Sequence, residues 1–140
     1  MKNMYEVFDE FELATNKKDR MKVIENNLSK LLTQVLELAY HPQYEWLHHE
    51  VPSNYRIKTI PVGMGYAQLS TEMRKLYMFR KGDPIAEKLT VHKRTQLLTE
   101  FLENLEPRES EVIIGIFNKD LGVAGLDYAF VKAAFPQLLP

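Results

Sequence analysis

Apolar positions along the chain predict helices over most of its length. They recur at three- and four-residue steps, which places them on one face of a helix with about 3.6 residues per turn. The strongest stripes are Val7, Phe8, Phe11 and Ala14; Leu28, Leu31, Leu32, Val35, Leu36 and Ala39; Leu97, Leu98, Phe101, Leu102 and Leu105; and Val112, Ile113, Ile116 and Phe117. We therefore expect an all-α fold, a single bundle of about six or seven helices forming one domain over residues 1–140.

Turn and capping residues divide these stripes. A helix is predicted over about 67–80, where apolar residues form one stripe up to Phe79, and Gly82 then breaks it. Pro84 suits the first turn of a short helix, while Thr90 and Asp127 are expected to cap the helices that follow them.

The segment 41–65 interrupts the helical pattern. Pro42, Pro52 and Pro61 remove backbone donors, yet the segment is rich in aromatic and branched side chains. A long loop of this composition is expected to pack over the core, with one or two short strands near residues 55–60.

Composition excludes several classes of protein. The chain has 140 residues and no cysteine, which excludes disulfides, thiolate zinc sites and thiol nucleophiles. No apolar run approaches the roughly 20 residues of a membrane span, and the start lacks a secretory pattern. We expect a cytoplasmic protein with no membrane partner.

Catalytic and metal-binding motifs are absent from the sequence. His48 and His49 lie between Glu45 and Glu50, but no His-Glu-x-x-His pattern accompanies them. The chain has no Gly-x-Ser-x-Gly elbow and no phosphate-binding glycine loop. The carboxylates between residues 100 and 111 have the spacing of a solvated helix face. These patterns predict no catalytic residue, no metal and no cofactor.

Charge is unevenly distributed although the net charge is only -1. Acidic residues crowd the first helix and residues 100–111. Between residues 74 and 94, seven cations accompany only two acids, and these are Arg74, Lys75, Arg80, Lys81, Lys88, Lys93 and Arg94. This run has two interpretations: contact with the phosphates of duplex DNA, or an ordinary solvated helix face.

A second candidate surface is the aromatic loop. Tyr44, Trp46 and Tyr55 could stack on nucleic-acid bases or anchor a protein partner, since large rings serve both purposes. The alternative is that these rings cover the core, because large aromatic side chains mostly report burial.

Several stretches together form a pattern that extends over nearly the whole chain. They are Val23–Asn27, Leu31–Tyr40 and Val51-Pro52; Arg80–Leu89; and Glu111-Val112, Lys119–Leu121, Gly125, Val131 and Phe135–Pro140. In this order and approximate spacing they resemble the N-terminal helical DNA-binding domain of tailed-phage ATP-dependent DNA ligases, and a phage-encoded protein is expected in the host-cell cytoplasm. The helix start at Leu102–Glu109 and the terminal Ala134–Pro136 also look like those of small, uncharacterised tailed-phage proteins.

The resemblance implies a ligase accessory domain without the ligase, because the Lys-x-Asp-Gly signature of ligase catalysis is absent. It points to Arg80–Leu89, with Lys81 and Lys88 as phosphate contacts, although Asp83 and Pro84 replace the Asn-Ala of the family. The leading hypothesis is a non-catalytic phage accessory protein that binds duplex DNA through backbone phosphates without reading bases. The alternative is a module that recruits or inhibits a phage or host protein in replication, transcription or host defence.

Overall fold

Eight α-helices and one 3₁₀ helix make up most of residues 3–47 and 67–140, which the computed structural model describes. The helices are α1 (Met4–Leu13), α2 (Lys17–Asn26), α3 (Lys30–Tyr40), α4 (Leu69–Glu72), the 3₁₀ helix (Met73–Phe79), α5 (Pro84–Lys88), α6 (Val91–Asn104), α7 (Pro107–Phe117) and α8 (Tyr128–Ala134). No strand occurs in these residues, where an isolated antiparallel bridge joins Trp46 and Arg80. The prediction of an all-α bundle is confirmed, with more helices than the six or seven expected because two are very short.

Polar side chains begin the helices at the predicted positions. The hydroxyl of Thr90 accepts a hydrogen bond from the Lys93 amide, and the Asp127 carboxylate accepts one from Phe130. Ser29 caps α3 in the same way through the Leu32 amide. These bonds satisfy amides that a helix leaves without partners in its first turn, so the boundaries follow from local sequence.

The predicted continuous helix over 67–80 is wrong in its second half. Only Leu69–Glu72 is α-helical, and residues Met73–Phe79 form a 3₁₀ helix. Met73, Leu76 and Phe79 are spaced by three residues, and all three are buried. With about three residues per turn, a 3₁₀ helix aligns this spacing in one row, whereas an α-helix would rotate the side chains progressively away from the core.

Helix α7 lies at the centre of the packing. It contacts α1, α3 and α6, and Ile113 and Ile116 are completely buried. Its neighbour Gly115 faces the turn that follows α7, where a Cβ atom would lie 2.9 Å from the Leu121 Cα. A larger residue would push this turn away from the helix, since backbone cannot yield as a flexible side chain can.

The turn between α7 and α8 is tied to the end of α3. The Tyr40 hydroxyl donates to the Leu126 carbonyl at 3.1 Å and accepts from the Leu121 amide at 3.3 Å. Lys119, at a φ of 57°, donates from Nζ to the carbonyls of Leu38 and His41. These bonds fix the position of a segment with little regular structure, and burial raises the pKa of Tyr40 to about 12.

Residues 41–47 lie alongside the end of the 3₁₀ helix and the turn after it. The Leu47 amide donates to the Phe79 carbonyl, and the Lys81 amide donates to the Glu45 carbonyl, both at 2.8 Å. This part of the predicted 41–65 loop therefore packs on the core. The remainder of the loop, including Tyr55, His48, His49 and the strands expected near 55–60, lies outside the described residues.

Glu109 corrects the prediction of a solvated acidic face over 100–111. The residue is only 6% exposed, and neither carboxylate oxygen makes a hydrogen bond of normal distance and angle with the described residues. Burial raises the pKa of Glu109 to about 7, an effect that the nearby Met4 and Tyr5 amides oppose. The spacing of the acids could not separate Glu109 from its exposed neighbours, because α1 comes to cover this position only in the folded chain.

Glu109→Gln should remove a pH dependence of stability. The pKa of Glu109 lies at about 7 in the folded chain, above its ordinary value of 4.5. The folded state therefore keeps a proton that the unfolded state has released, and the free energy of unfolding falls as pH rises through this window, by about 3 kcal/mol. We expect Glu109→Gln to unfold at higher urea concentration than the wild type at pH 8, and at similar concentration near pH 4.5.

Urea denaturation across this pH range measures the difference, with the exposed Glu100→Gln as the matched control. Parallel curves for the wild type and Glu109→Gln would contradict the interpretation.

Candidate nucleic-acid interface

Helix α6 separates positive from negative charge. Its first turn carries Lys93 and Arg94, while Glu100 and Glu103 lie near its end. At about 1.5 Å per residue, its 14 residues span roughly 21 Å. The acidic end leads into α7, against which the acidic helix α1 packs. The uneven charge along the sequence is therefore also uneven in space.

The basic run is held together as a unit. The 3₁₀ helix packs against α5, and Arg94 joins α5 to α6. The Arg94 Nη1 donates to the Ala86 carbonyl at 3.1 Å and to the Leu89 carbonyl at 2.7 Å. The cations of residues 74–94 consequently lie on three neighbouring elements and on the turn between the first two.

Four of the seven predicted cations already have partners. Lys75 pairs with Glu72 at 2.7 Å, and the two well-exposed side chains of Lys81 and Glu45 are 3.5 Å apart. The Arg80 guanidinium lies over the Tyr44 ring, 4.5 Å from its centroid. Arg94 is half-buried and caps the end of α5, so its role in the fold is structural.

The other three predicted cations are exposed and uncompensated. They are Arg74 on the 3₁₀ helix, Lys88 at the end of α5 and Lys93 on α6. Their side chains make no hydrogen bond or ion pair within residues 3–47 and 67–140. These three are the members of the run that remain available to an anionic ligand.

Both described aromatic candidates pack within the fold. Trp46 is 3% exposed and its ring lies 5.1 Å from that of Phe117. Tyr44 is half-buried, its hydroxyl donates to Glu37 at 3.2 Å, and burial raises its pKa. Tyr55, the third candidate, lies outside the described residues. This packing agrees with the interpretation that the rings cover the core.

A pocket of about 400 Å³ lies beside Trp46. Phe117 and Trp46 provide its apolar lining, while Lys119 and the Glu45–Lys81 pair supply charge. Two backbone carbonyls already accept hydrogen bonds from Lys119, and burial lowers its pKa to about 8. The lining carries two lysines against one glutamate, but Lys81 pairs with Glu45 and Lys119 donates to backbone carbonyls. Because both lysines already have partners, this pocket does not favour an anionic ligand.

A smaller cleft of about 310 Å³ separates α3 from α4 and the 3₁₀ helix. Lys30 and Gln34 line it on one side, and Ser70 and Arg74 on the other. Sequence reasoning missed Lys30, because it lies 44 positions before Arg74 and belongs to no local motif. Only the packing of α3 brings the two cations to one cleft.

The described residues 3–47 and 67–140 contain no group of three or more His, Asp or Glu side chains arranged to hold a metal ion. Within the same ranges, no helix has both the length and the apolar character needed to cross a bilayer.

Comparison with protein families gives one match. A family of unknown function (DUF6433) matches residues 7–123, which include the whole basic run and the Lys30–Arg74 cleft. The chain belongs to this family. No curated protein matches it. DUF6433 membership thus places the basic elements within a shared sequence family but assigns them no activity.

Arg94 and Lys93 should differ in their effect on the stability of this DUF6433 protein. Arg94→Ala removes both hydrogen bonds to α5 carbonyls, which should lower the free energy of unfolding by about 1–3 kcal/mol. Lys93→Ala makes the matched substitution at the adjacent position, which is exposed. It should therefore change the free energy of unfolding by no more than about 0.5 kcal/mol.

Thermal and urea denaturation of both variants provide the measurement. Equal stability of the two would mean that the Arg94 bonds do not hold α5 against α6.

Proposed function

We propose that this protein binds duplex DNA through backbone phosphates, without base readout, as a non-catalytic accessory protein of a phage. The observation that carries the proposal is the set of exposed, uncompensated cations Arg74, Lys88 and Lys93 on three adjacent elements. An exposed cation without a partner gains most from a polyanion, because it releases condensed counterions without first losing a salt bridge.

The separation of charge along α6 reconciles this proposal with a net charge of -1. DNA that approaches the acidic end is repelled, whereas the basic end attracts it, so the field orients the encounter. Lysine supplies a point charge rather than the planar fork that recognises a base edge, which favours phosphate contact over sequence discrimination.

The resemblance to the ligase DNA-binding domain supports the same surface. The segment of this chain that carries the resemblance, Arg80–Leu89, forms the turn before α5 and α5 itself. Asp83 and Pro84, which depart from the family pattern, both serve the start of this helix: Asp83 accepts from the Ile85 amide at 2.9 Å, and Pro84 occupies the first turn. The Lys88 side chain is exposed and has no partner among the described residues, whereas Lys81 forms an ion pair with Glu45.

The alternative, a module that binds a phage or host protein through Tyr44, Trp46 and Tyr55, has less support. Trp46 is buried against Phe117, so it would have to leave the core before it could anchor a partner. The cost of exposing so large a ring opposes this route. Duplex DNA therefore remains the partner that the exposed side chains favour.

Fluorescence anisotropy of a labelled duplex tests the proposal over a series of salt concentrations. Lys88→Gln/Lys93→Gln should weaken binding and reduce the slope of log K against log salt by about 1.8, since each phosphate contact contributes about 0.9. Lys17→Gln/Lys18→Gln is the matched control, because it removes the same charge from exposed positions on α2.

The control should keep the wild-type slope. Equal slopes for both double variants would show that any binding is a response to overall charge and would overturn the assignment. No binding by the wild type at low salt would do the same.

A further inference from the structure

The cleft between α3 and the α4–3₁₀ segment has an unbalanced charge. Lys30 and Arg74 line it from opposite sides, and none of its lining residues is acidic. Neither side chain makes an ion pair within the described parts of the chain. The acid of α4, Glu72, pairs with Lys75 at 2.7 Å and so neutralises a different cation.

Two like charges across one cleft raise the energy of the folded chain unless an anion lies between them. The repulsion is modest in water and grows as the dielectric constant falls, and an anion of matching size converts it into attraction. Met73, which is buried, and half-buried Leu31 form an apolar lining between the cations. Part of the bulk water is therefore excluded, which strengthens any contact between the cations and an anion.

The donors in the cleft suit a phosphate group. A guanidinium can bind two phosphate oxygens at once, and an ammonium adds a point charge. The Ser70 hydroxyl and the Gln34 amide can donate to a further oxygen. The volume of about 310 Å³ is at the small end of the roughly 300–1,000 Å³ that ligand pockets span, enough for the group and part of its ester.

We propose that the Lys30–Arg74 cleft is a binding site for a phosphate oxyanion. The identity of the molecule that carries this phosphate rests on the proposed function, under which the phosphate is a backbone diester of duplex DNA. Lys30 then extends the interface from the basic run to α3. If the proposed function fails, the same donors would bind the phosphate group of a small phosphorylated ligand.

Chemical-shift perturbation of the full chain tests the site with inorganic phosphate as the probe and sodium chloride at equal ionic strength as the reference. Phosphate should cause saturable changes at the amides of Leu31, Gln34 and Ser70. Lys30→Gln/Arg74→Gln should weaken this binding by at least roughly tenfold. Lys17→Gln/Lys18→Gln is the matched control and should retain it, because it removes the same charge from exposed positions on α2 that do not line the cleft.

Unchanged amide signals from α7 in both variants confirm that each remains folded, because this helix is largely buried and carries none of the substituted side chains. Scattered, non-saturable shifts, or shifts that survive Lys30→Gln/Arg74→Gln, would overturn the cleft assignment.

The two proposals fail in different ways. Saturable phosphate binding in the cleft by a protein that does not bind duplex DNA would reject the proposed function and support the site with a small phosphorylated ligand. Duplex binding through Lys88 and Lys93, with no phosphate effect at Leu31, Gln34 and Ser70, would reject the cleft and leave the proposed function intact.

Discussion

The burial of α7 is the constraint on which the rest of the structure depends. The apolar side chains of α7 are removed from water only when α1, α3 and α6 all pack against this helix. Ile113 and Ile116 are then completely buried. Gly115 belongs to the same constraint, because the absence of a side chain lets the following turn lie directly against the helix. Lys119 and Tyr40 then tie that turn to α3.

This arrangement also explains the buried acid. Glu109 lies in the first turn of α7, where the helix dipole and the spacing of neighbouring acids both suit a solvated carboxylate. Packing of α1 over the same turn removes the water. Arg108, one residue earlier, escapes burial and instead pairs with Asp9 of α1 through two contacts of 2.7 Å. Adjacent residues thus have opposite environments because they point in different directions from one helix.

The basic elements contribute buried side chains to this core, while most of their cations lie at its surface. Their cations divide into those that hold the fold together and those that remain free. Arg94 and Arg80 use their planar groups on carbonyls and on an aromatic ring, whereas Lys88 and Lys93 are exposed and make no hydrogen bond or ion pair with the described residues. A run of like charge in a sequence is therefore not a surface in itself, and the cations that are available to a ligand are those that remain after the structural contacts are removed.

The sequence by itself determined the class of fold, most helix boundaries and the presence of a basic run. These are local properties, set by the apolar period and by capping side chains such as Thr90 and Asp127 within one turn of the residues they affect. It did not predict the 3₁₀ helix, because the three-residue spacing of Met73, Leu76 and Phe79 is also compatible with an α-helix until the core surface is known.

Tertiary structure alone decided the burial of Glu109, the structural role of Arg94 and the placement of Lys30 and Arg74 in one cleft. Arg94 bonds to carbonyls only eight and five residues away, but the relative position of α5 and α6 directs it there. The other two features depend on residues distant in sequence, and no local pattern encodes such a distance. Packing of α1 against α7 covers Glu109, and packing of α3 places Lys30 in the cleft with Arg74, because the helices can bury their apolar faces only against particular neighbours.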